Sequence, residues 1–327
     1  MWILRVARIP GALTILLLLG LAVSVAHLPA QNAPPAPVTR NDIAGDWVVV
    51  THEDQPNYAP GPELGDYAGL PINAADRQKA EAWDATILSQ PERQTQAHPV
   101  QYIGNNRGPQ RILKILDPVT QQLVAWHTRM GFQEMERTFW MDGRAHPDDM
   151  APHTWSGFST GTWRNNMLNV RTTHLKENYL RRNGIPRSAN ATFTEHWARH
   201  GNYLTVTTVI TDPALLTETL VRSQTWVSDP GQRMGRDICE YGDEVPRERK
   251  DYVPHHLPGT NPFLHEVADW YGLPYEVTRG GAETLYPEYR SKMPKPETPK
   301  LVCERYCTCG VGVNAVCLLA PAPPRPR

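Results

Sequence analysis

Residues 191–211 read Ala191-Thr192-Phe193-Thr194-Glu195-His196-Trp197-Ala198-Arg199, then His200-Gly201-Asn202, then Tyr203-Leu204-Thr205-Val206-Thr207-Thr208-Val209-Ile210-Thr211. Two runs rich in β-branched and aromatic residues flank a Gly-Asn pair that tolerates the positive φ of a tight turn, and this predicts a β-hairpin. The same pattern recurs outward in both directions. Upstream, Phe158 to Arg164, Asn165-Asn166 and Met167 to His174 predict a second hairpin, and downstream Glu218 to Val227 predicts a strand before Asp229-Pro230-Gly231. Arg111 to Leu116 and Leu123 to Thr128, parted by Asp117-Pro118, predict a third, and Phe132 to Met141 follows as a strand ending at Asp142-Gly143. With Ile43 to Val50 the count is about nine strands, enough to close an antiparallel barrel around a side-chain core or a small cavity. The fold class read from the sequence is therefore mainly β, with one helix ahead of most of the strands.

That helix is expected over residues 73–90. Asn73 with Asp76 three residues later has the form of an N-terminal cap, and Trp83 and Ile87, four apart, would share a buried face. After Gly231 the chain turns to Pro, charge and sparse apolar residues. His265 to Tyr271 could form a short helix ahead of Gly272, and the rest of 232–327 is expected to be an irregular extension and not a domain.

The start of the chain has the form of a secretory leader. Arg5 and Arg8 precede an uncharged apolar stretch from Ile9 to Ala26, with small residues at Ser24 and Ala26 or at Ala30 for cleavage. Residues 1–30 are thus expected to be a signal peptide, residues 31–40 a Pro/Ala-rich spacer and residues 41–231 the barrel domain. A periplasmic or secreted location is implied, with an uncleaved leader as the only expected link to a membrane.

The 327 residues carry 33 Lys and Arg against 34 Asp and Glu, a formal charge of −1. That balance leaves no electrostatic footprint for nucleic acid. Of the five cysteines, Cys239 stands alone and Cys303, Cys307, Cys309 and Cys317 crowd the end. In an oxidising compartment the expectation is disulfides among the four, because their spacing fits no standard zinc pattern.

No strong catalytic motif is present. Gly157-Phe158-Ser159-Thr160-Gly161 has the letters of a G-x-S-x-G elbow, but that elbow needs a strand-to-helix turn and these residues lie in a predicted hairpin. Glu195 shares a strand face with Phe193, so if Phe193 is core then Glu195 is a buried carboxylate that must be paired. Arg144, Arg171 and Arg187 are the candidate partners, and Glu195 with His174 is the candidate acid and base pair. Arg144, Arg187, Trp140, Trp163 and Trp197 are the candidate ligand contacts, since indoles can line an apolar cavity while offering a donor. The turn-rich stretch Asp142 to Trp155 is expected to be a loop at the barrel mouth, where His146, His153 and one Asp could hold a divalent metal.

Gly45-Asp46-Trp47 resembles the G-x-W signature of lipocalin-like barrels, whose Trp seals the closed end beneath the ligand cavity, and Gly161-Thr162-Trp163 repeats it. The segment from Arg137 to Ser223 resembles a group of uncharacterised exported bacterial proteins. The matching residues are Met141-Asp142-Gly143-Arg144 with His146-Pro147, Gly157 to Gly161, Thr172-Thr173-His174, Asn183-Gly184, Thr194-Glu195 and Asp212-Pro213. The resemblance implies an extracytoplasmic, lipocalin-like barrel and brings no catalytic residue with it. Three functions fit these residues. The first is a carrier of a small apolar or amphipathic molecule, the second a barrel hydratase, isomerase or hydrolase, and the third a cell-envelope interaction module working through its tail. No cofactor or protein partner is identifiable.

Overall fold

The computed structural model describes residues 41–50, 64–84, 109–131, 135–181, 183–234 and 255–296. The chain divides between Thr39 and Arg40, and every described residue belongs to the second unit. All five cysteines, the leader and the spacer lie outside the described residues, and with them the disulfide and export expectations.

The barrel strands are β1 Gly45–Val50, β2 Gln110–Leu116, β3 Leu123–Met130, β4 Glu136–Trp140, β5 Phe158–Arg164, β6 Met167–Thr173, β9 Thr192–His200, β10 Tyr203–Thr211 and β11 Leu220–Ser228. These nine close on themselves in the order β1-β11-β10-β9-β6-β5-β4-β3-β2. Closure is made by β1, which pairs with β11 through Trp47 and Ser228 and with β2 through Gly45 and Ile112. Between β6 and β9 a separate pair, β7 Asn178–Tyr179 and β8 Pro186–Arg187, forms a small second sheet.

The hairpin turns form where the sequence places residues able to take positive φ. Asn165 and Asn166 sit at φ 51° and 61°, and Gly201 at 58°, which is the geometry that matches the right-handed twist of the flanking strands. One pairing departs from the all-antiparallel expectation, because β4 and β5 run parallel through Phe139 with Ser159. Parallel neighbours need a long crossover, and the chain between Trp140 and Phe158 supplies it. This corrects the reading of Asp142 to Trp155 as a mouth loop. The stretch lies against β5 and β6 on their outer face, with Thr154 N donating to His174 O and Ser156 Oγ to Glu136 O.

The helix α1, Ala74–Ala82, begins at the Asn73 cap, whose side chain accepts from Asp76 N at 2.9 Å. It ends earlier than expected, since Trp83 has extended backbone and bridges to His255; Ile87 lies outside the described residues. The extension between 255 and 296 is more ordered than its composition indicates, with α2 Glu266–Tyr271, α3 Tyr275–Thr278, a 3-10 turn Ala282–Leu285 and α4 Pro287–Arg290. Gly272 closes α2 at φ 61°, as a left-handed cap should.

Segments 64–84 and 255–296 pack together as a cap. Tyr67 N donates to Thr278 O, Gly281 N to Leu70 O, and Arg279 pairs with Glu81 at 2.9 Å. The cap is fastened to one end of the barrel. Asn73 N and Nδ2 donate to Leu215 O and Ala214 O, Thr217 N donates to Pro71 O, and Asn183 Nδ2 donates to Asp66 O. Trp83 donates to the Tyr179 hydroxyl at 3.0 Å. Gly184, at φ 94°, lies where an added Cβ would come within 2.6 Å of the Trp83 ring, so no side chain can stand there without unseating the cap.

Candidate functional site

Alternation along each strand sorts the barrel interior into two halves. Toward the end opposite the cap, Ile43, Trp47, Trp126, Leu168, Trp197, Leu204 and Trp226 are almost wholly buried. Trp47 Nε1 donates to Ile43 O, and the Arg199 guanidinium lies 4.8 Å over its ring. Toward the cap polar groups enter the interior: Gln110, Thr128, Arg137, Ser159, Thr172, Glu195 and Thr208 are buried, with Phe193, Ile210 and Leu220 beyond Glu195 and Thr208 on the cap side. The two halves meet at aromatic contacts. Arg137 lies 4.7 Å over the Phe139 ring, Phe139 tilts on Trp197 at 5.3 Å, and Trp197 stacks on Trp226 at 6.3 Å.

At the centre of the polar half is an ion pair. Arg137 Nη2 donates to Glu195 Oε2 at 2.6 Å and Nη1 to Oε1 at 3.1 Å, both side chains being under 5% exposed. Arg137 Nη2 also donates to Thr172 Oγ1, which in turn bonds Ser159 Oγ at 2.8 Å. Such a fork-to-fork geometry is the strong form of the contact, and it is what a carboxylate removed from water requires. Glu195 therefore faces inward with Phe193, but its partner is Arg137 and not Arg144, Arg171 or Arg187.

The expected site residues do not gather in one place. Trp163, Trp197 and Arg187 belong to the interior or its roof. Trp140 is on the opposite strand face from Phe139, with Arg144 stacked 3.6 Å over it and bonded to Asp142, so that pair is outside the barrel. The acid and base pair is not assembled either. His174 takes φ 56°, which breaks the alternation that would have turned it inward beside Thr172, and it bonds to groups of the crossover.

Those outer groups form an ordered chain. His146 Nε2 meets Thr160 Oγ1, His146 Nδ1 meets Thr173 Oγ1, Thr173 Oγ1 meets His174 Nδ1, and His174 Nε2 meets Asp148 O, all between 2.7 and 2.8 Å. A carbonyl only accepts, so His174 carries its proton on Nε2 and, when neutral, accepts at Nδ1 from Thr173. Thr173 has then spent its one proton, so His146 must donate from Nδ1 and accept from Thr160. Burial lowers the His146 pKa, helped by the Arg171 charge and by His174. Both His146 nitrogens are thus occupied, and His153 bonds Leu175 O. Among the described residues no three His, Cys, Asp or Glu side chains converge as metal ligands, which corrects the reading of His146, His153 and an Asp as a metal centre.

Sequence reasoning missed Gln110, Thr128, Arg137, Thr172 and Thr208 as inward polar groups. The signal for Arg137 was present, since it is two residues from Phe139 on one strand and the parity argument that flagged Glu195 applies to it equally. Ser159 is on a strand and bonded to Thr172, and Gly161 leaves room for Met141 Sδ, 2.7 Å from an added Cβ. Neither arrangement is that of a nucleophile.

Several interior groups have no partner among the described residues: Gln110 Nε2 and Oε1, Arg137 Nε, and the indole N–H of Trp126, Trp197 and Trp226. Each such group costs about 1–3 kcal/mol when left unpaired in a protein interior.

The joint between cap and barrel contains a second set of buried polar groups. Arg187, 1% exposed, donates to Lys176 O and Ser188 O and lies 5.7 Å over Phe193; burial brings its pKa down to about 10, against the nearby charges of Asp212 and Glu177. Asp212 accepts from Ser188 N and Oγ. On α1, Asp76 is fully buried with neither carboxyl oxygen bonded. A reciprocal cap would have it bond Asn73 N–H, but that N–H is given to Leu215 O. Burial, then the Asp212 charge, pushes the Asp76 pKa up to about 8.

This upward shift fixes the sign of a pH effect. A carboxyl whose folded pKa lies above its unfolded value near 3.8 holds its proton better when folded. Its contribution is full below that unfolded value and is lost as pH rises toward about 8. Asp76→Asn imitates the protonated acid and is expected to flatten this fall. Urea unfolding of both proteins from about pH 5 to about pH 9 checks it, and an equal slope in the two would remove Asp76 as the cause.

Fold and site together define a class: a closed, mixed β-barrel with an apolar floor, a buried ion pair and a cap. No family model matches the chain, and no curated protein matches it. Among solved structures it is similar to secretory abundant heat soluble protein 4 from Ramazzottius varieornatus, at 12% identity over 57% of this chain and 94% of that one. The TM-score is 0.26, too low to carry an argument. Among the described residues no helix is long and apolar enough to cross a membrane.

Proposed function

We propose that the chain is an exported, lipocalin-like carrier that holds a small amphipathic molecule inside the barrel. The observation that carries this reading is the division of the interior, with four buried tryptophans on the floor side and the Arg137–Glu195 pair with its hydroxyl neighbours beneath the cap. An apolar molecule carrying a polar group matches such a polar belt within an apolar interior, whereas a purely structural core would gain little from it. The Gly45-Asp46-Trp47 signature and the leader-like start of the chain support the same reading. Acid and base chemistry is less well supported. Glu195 is held by both oxygens, and His174 is engaged on the outer face.

The test is native against denaturing mass spectrometry of the protein purified from its own cells. An organic mass present only under native conditions is the expected result. A bare protein that also fails to take up any small amphipathic compound would sink the carrier reading.

A further inference from the structure

We propose that the guest is an uncharged molecule bearing hydrogen-bond acceptors, such as a ketone, ester or ether on an apolar skeleton. This rests on the carrier reading and specifies its ligand class. Three observations carry it. First, the unpartnered atoms at inward positions of the barrel strands are unequal in kind: Gln110 Nε2, Arg137 Nε and the three indole N–H groups of Trp126, Trp197 and Trp226 donate, and Gln110 Oε1 accepts, while at the joint Arg187 Nε and Asn178 Nδ2 add donors and Asp76 two carboxyl oxygens. A partner that satisfies them must therefore bring oxygen or nitrogen lone pairs and few N–H or O–H groups of its own.

Second, the charge inside is already balanced. Glu195 occupies both Nη groups of Arg137, leaving Nε as the free edge. An anionic guest would have to displace Glu195, and a carboxylate stranded in a closed barrel is far costlier than the pair it came from. For a cationic guest, the one acid among the described residues of the polar half is Glu195, already paired; at the joint above it the unbonded Asp76 carboxyl is held protonated at neutral pH by burial and the Asp212 charge. At the roof, the Arg187 charge is opposed by Asp212 and Glu177, so it does not reverse the argument.

Third, the donors are spread along the interior. Two are on Trp197 and Trp226, which stack on each other at the aromatic contacts, while Arg137 and Gln110 are in the polar half. Acceptors at more than one point of the guest are thus favoured over one polar head.

Three probes of one skeleton separate the possibilities: methyl 2-naphthoate, 2-ethylnaphthalene and ionised 2-naphthoate. They are titrated calorimetrically into the full chain, and the indole N–H resonances are followed by NMR. The ester is expected to bind about tenfold or more tightly than the hydrocarbon, one good hydrogen bond being worth about a factor of ten. It should outbind the anion by at least about as much, with indole N–H signals moving downfield for the ester alone. Gln110→Leu, and independently Trp226→Phe, should narrow the gap between ester and hydrocarbon, read as the ratio of the two affinities within each variant. Equal affinity for ester and hydrocarbon, or preference for the anion, overturns the inference and leaves the carrier reading standing. Silence from all three probes, with the indole N–H groups protected by ordered water, overturns both.

Discussion

Arg137→Met is expected to destabilise the barrel by about 3–5 kcal/mol, because it leaves the Glu195 carboxylate buried with no countercharge. Thr172 and Ser159 cannot replace the guanidinium. Thr172 Oγ1 already bonds Ser159, and two hydroxyls supply no charge. Glu195→Leu should cost a comparable amount, since it strands a cation whose remaining acceptor is Thr172. The double variant is the informative one. With both charges gone and the volume kept apolar, stability should return to within about 1 kcal/mol of the parent or exceed it, because burying a pair costs nearly what its attraction returns. Urea unfolding of the four proteins closes the cycle. Single variants that each cost less than about 1 kcal/mol would mean that water reaches the pair and that the interior is not closed.

The same pair shows how far the sequence could be read. That Glu195 faces inward follows from Phe193 and Trp197 on the same strand, because alternation is a local rule. That Arg137 meets it does not follow from any local rule. In the sheet, β4 is separated from β9 by β5 and β6, so the two residues are not strand neighbours and come together only when the sheet curls shut. The hairpins were legible because Asn165-Asn166 and Gly201 mark turns by backbone chemistry. The parallel β4–β5 pair was not, since nothing local distinguishes a crossover from a loop that returns antiparallel. His174 was misplaced for a related reason: parity with Thr172 points it inward, and one residue of positive φ turns it out. The helices after residue 255 span only four to six residues, too few for a periodic pattern. They form through docking, with Tyr67, Leu70 and Glu81 supplying the contacts.

Trp197→Ala is expected to cost about 3–5 kcal/mol through lost burial and the cavity that remains. The indole is fully buried, with Phe139 tilted on one face at 5.3 Å and Trp226 parallel at 6.3 Å. Neither neighbour can collapse into the gap without leaving its own strand position: Phe139 is held by pairing with Trp126 and Ser159, and Trp226 by pairing with Leu204 and Val49. A rigid wall makes the cavity term large, since relaxation is what lowers it. Trp197→Phe should cost clearly less, because a ring still fills most of the space and the indole N–H it removes has no partner among the described residues. Added indole should then restore part of the lost stability in the Ala variant and none in the Phe variant, read as a shift of the thermal midpoint with ligand concentration. An Ala variant as stable as the parent would mean that the indole's packing against Phe139 and Trp226 contributes little to the barrel.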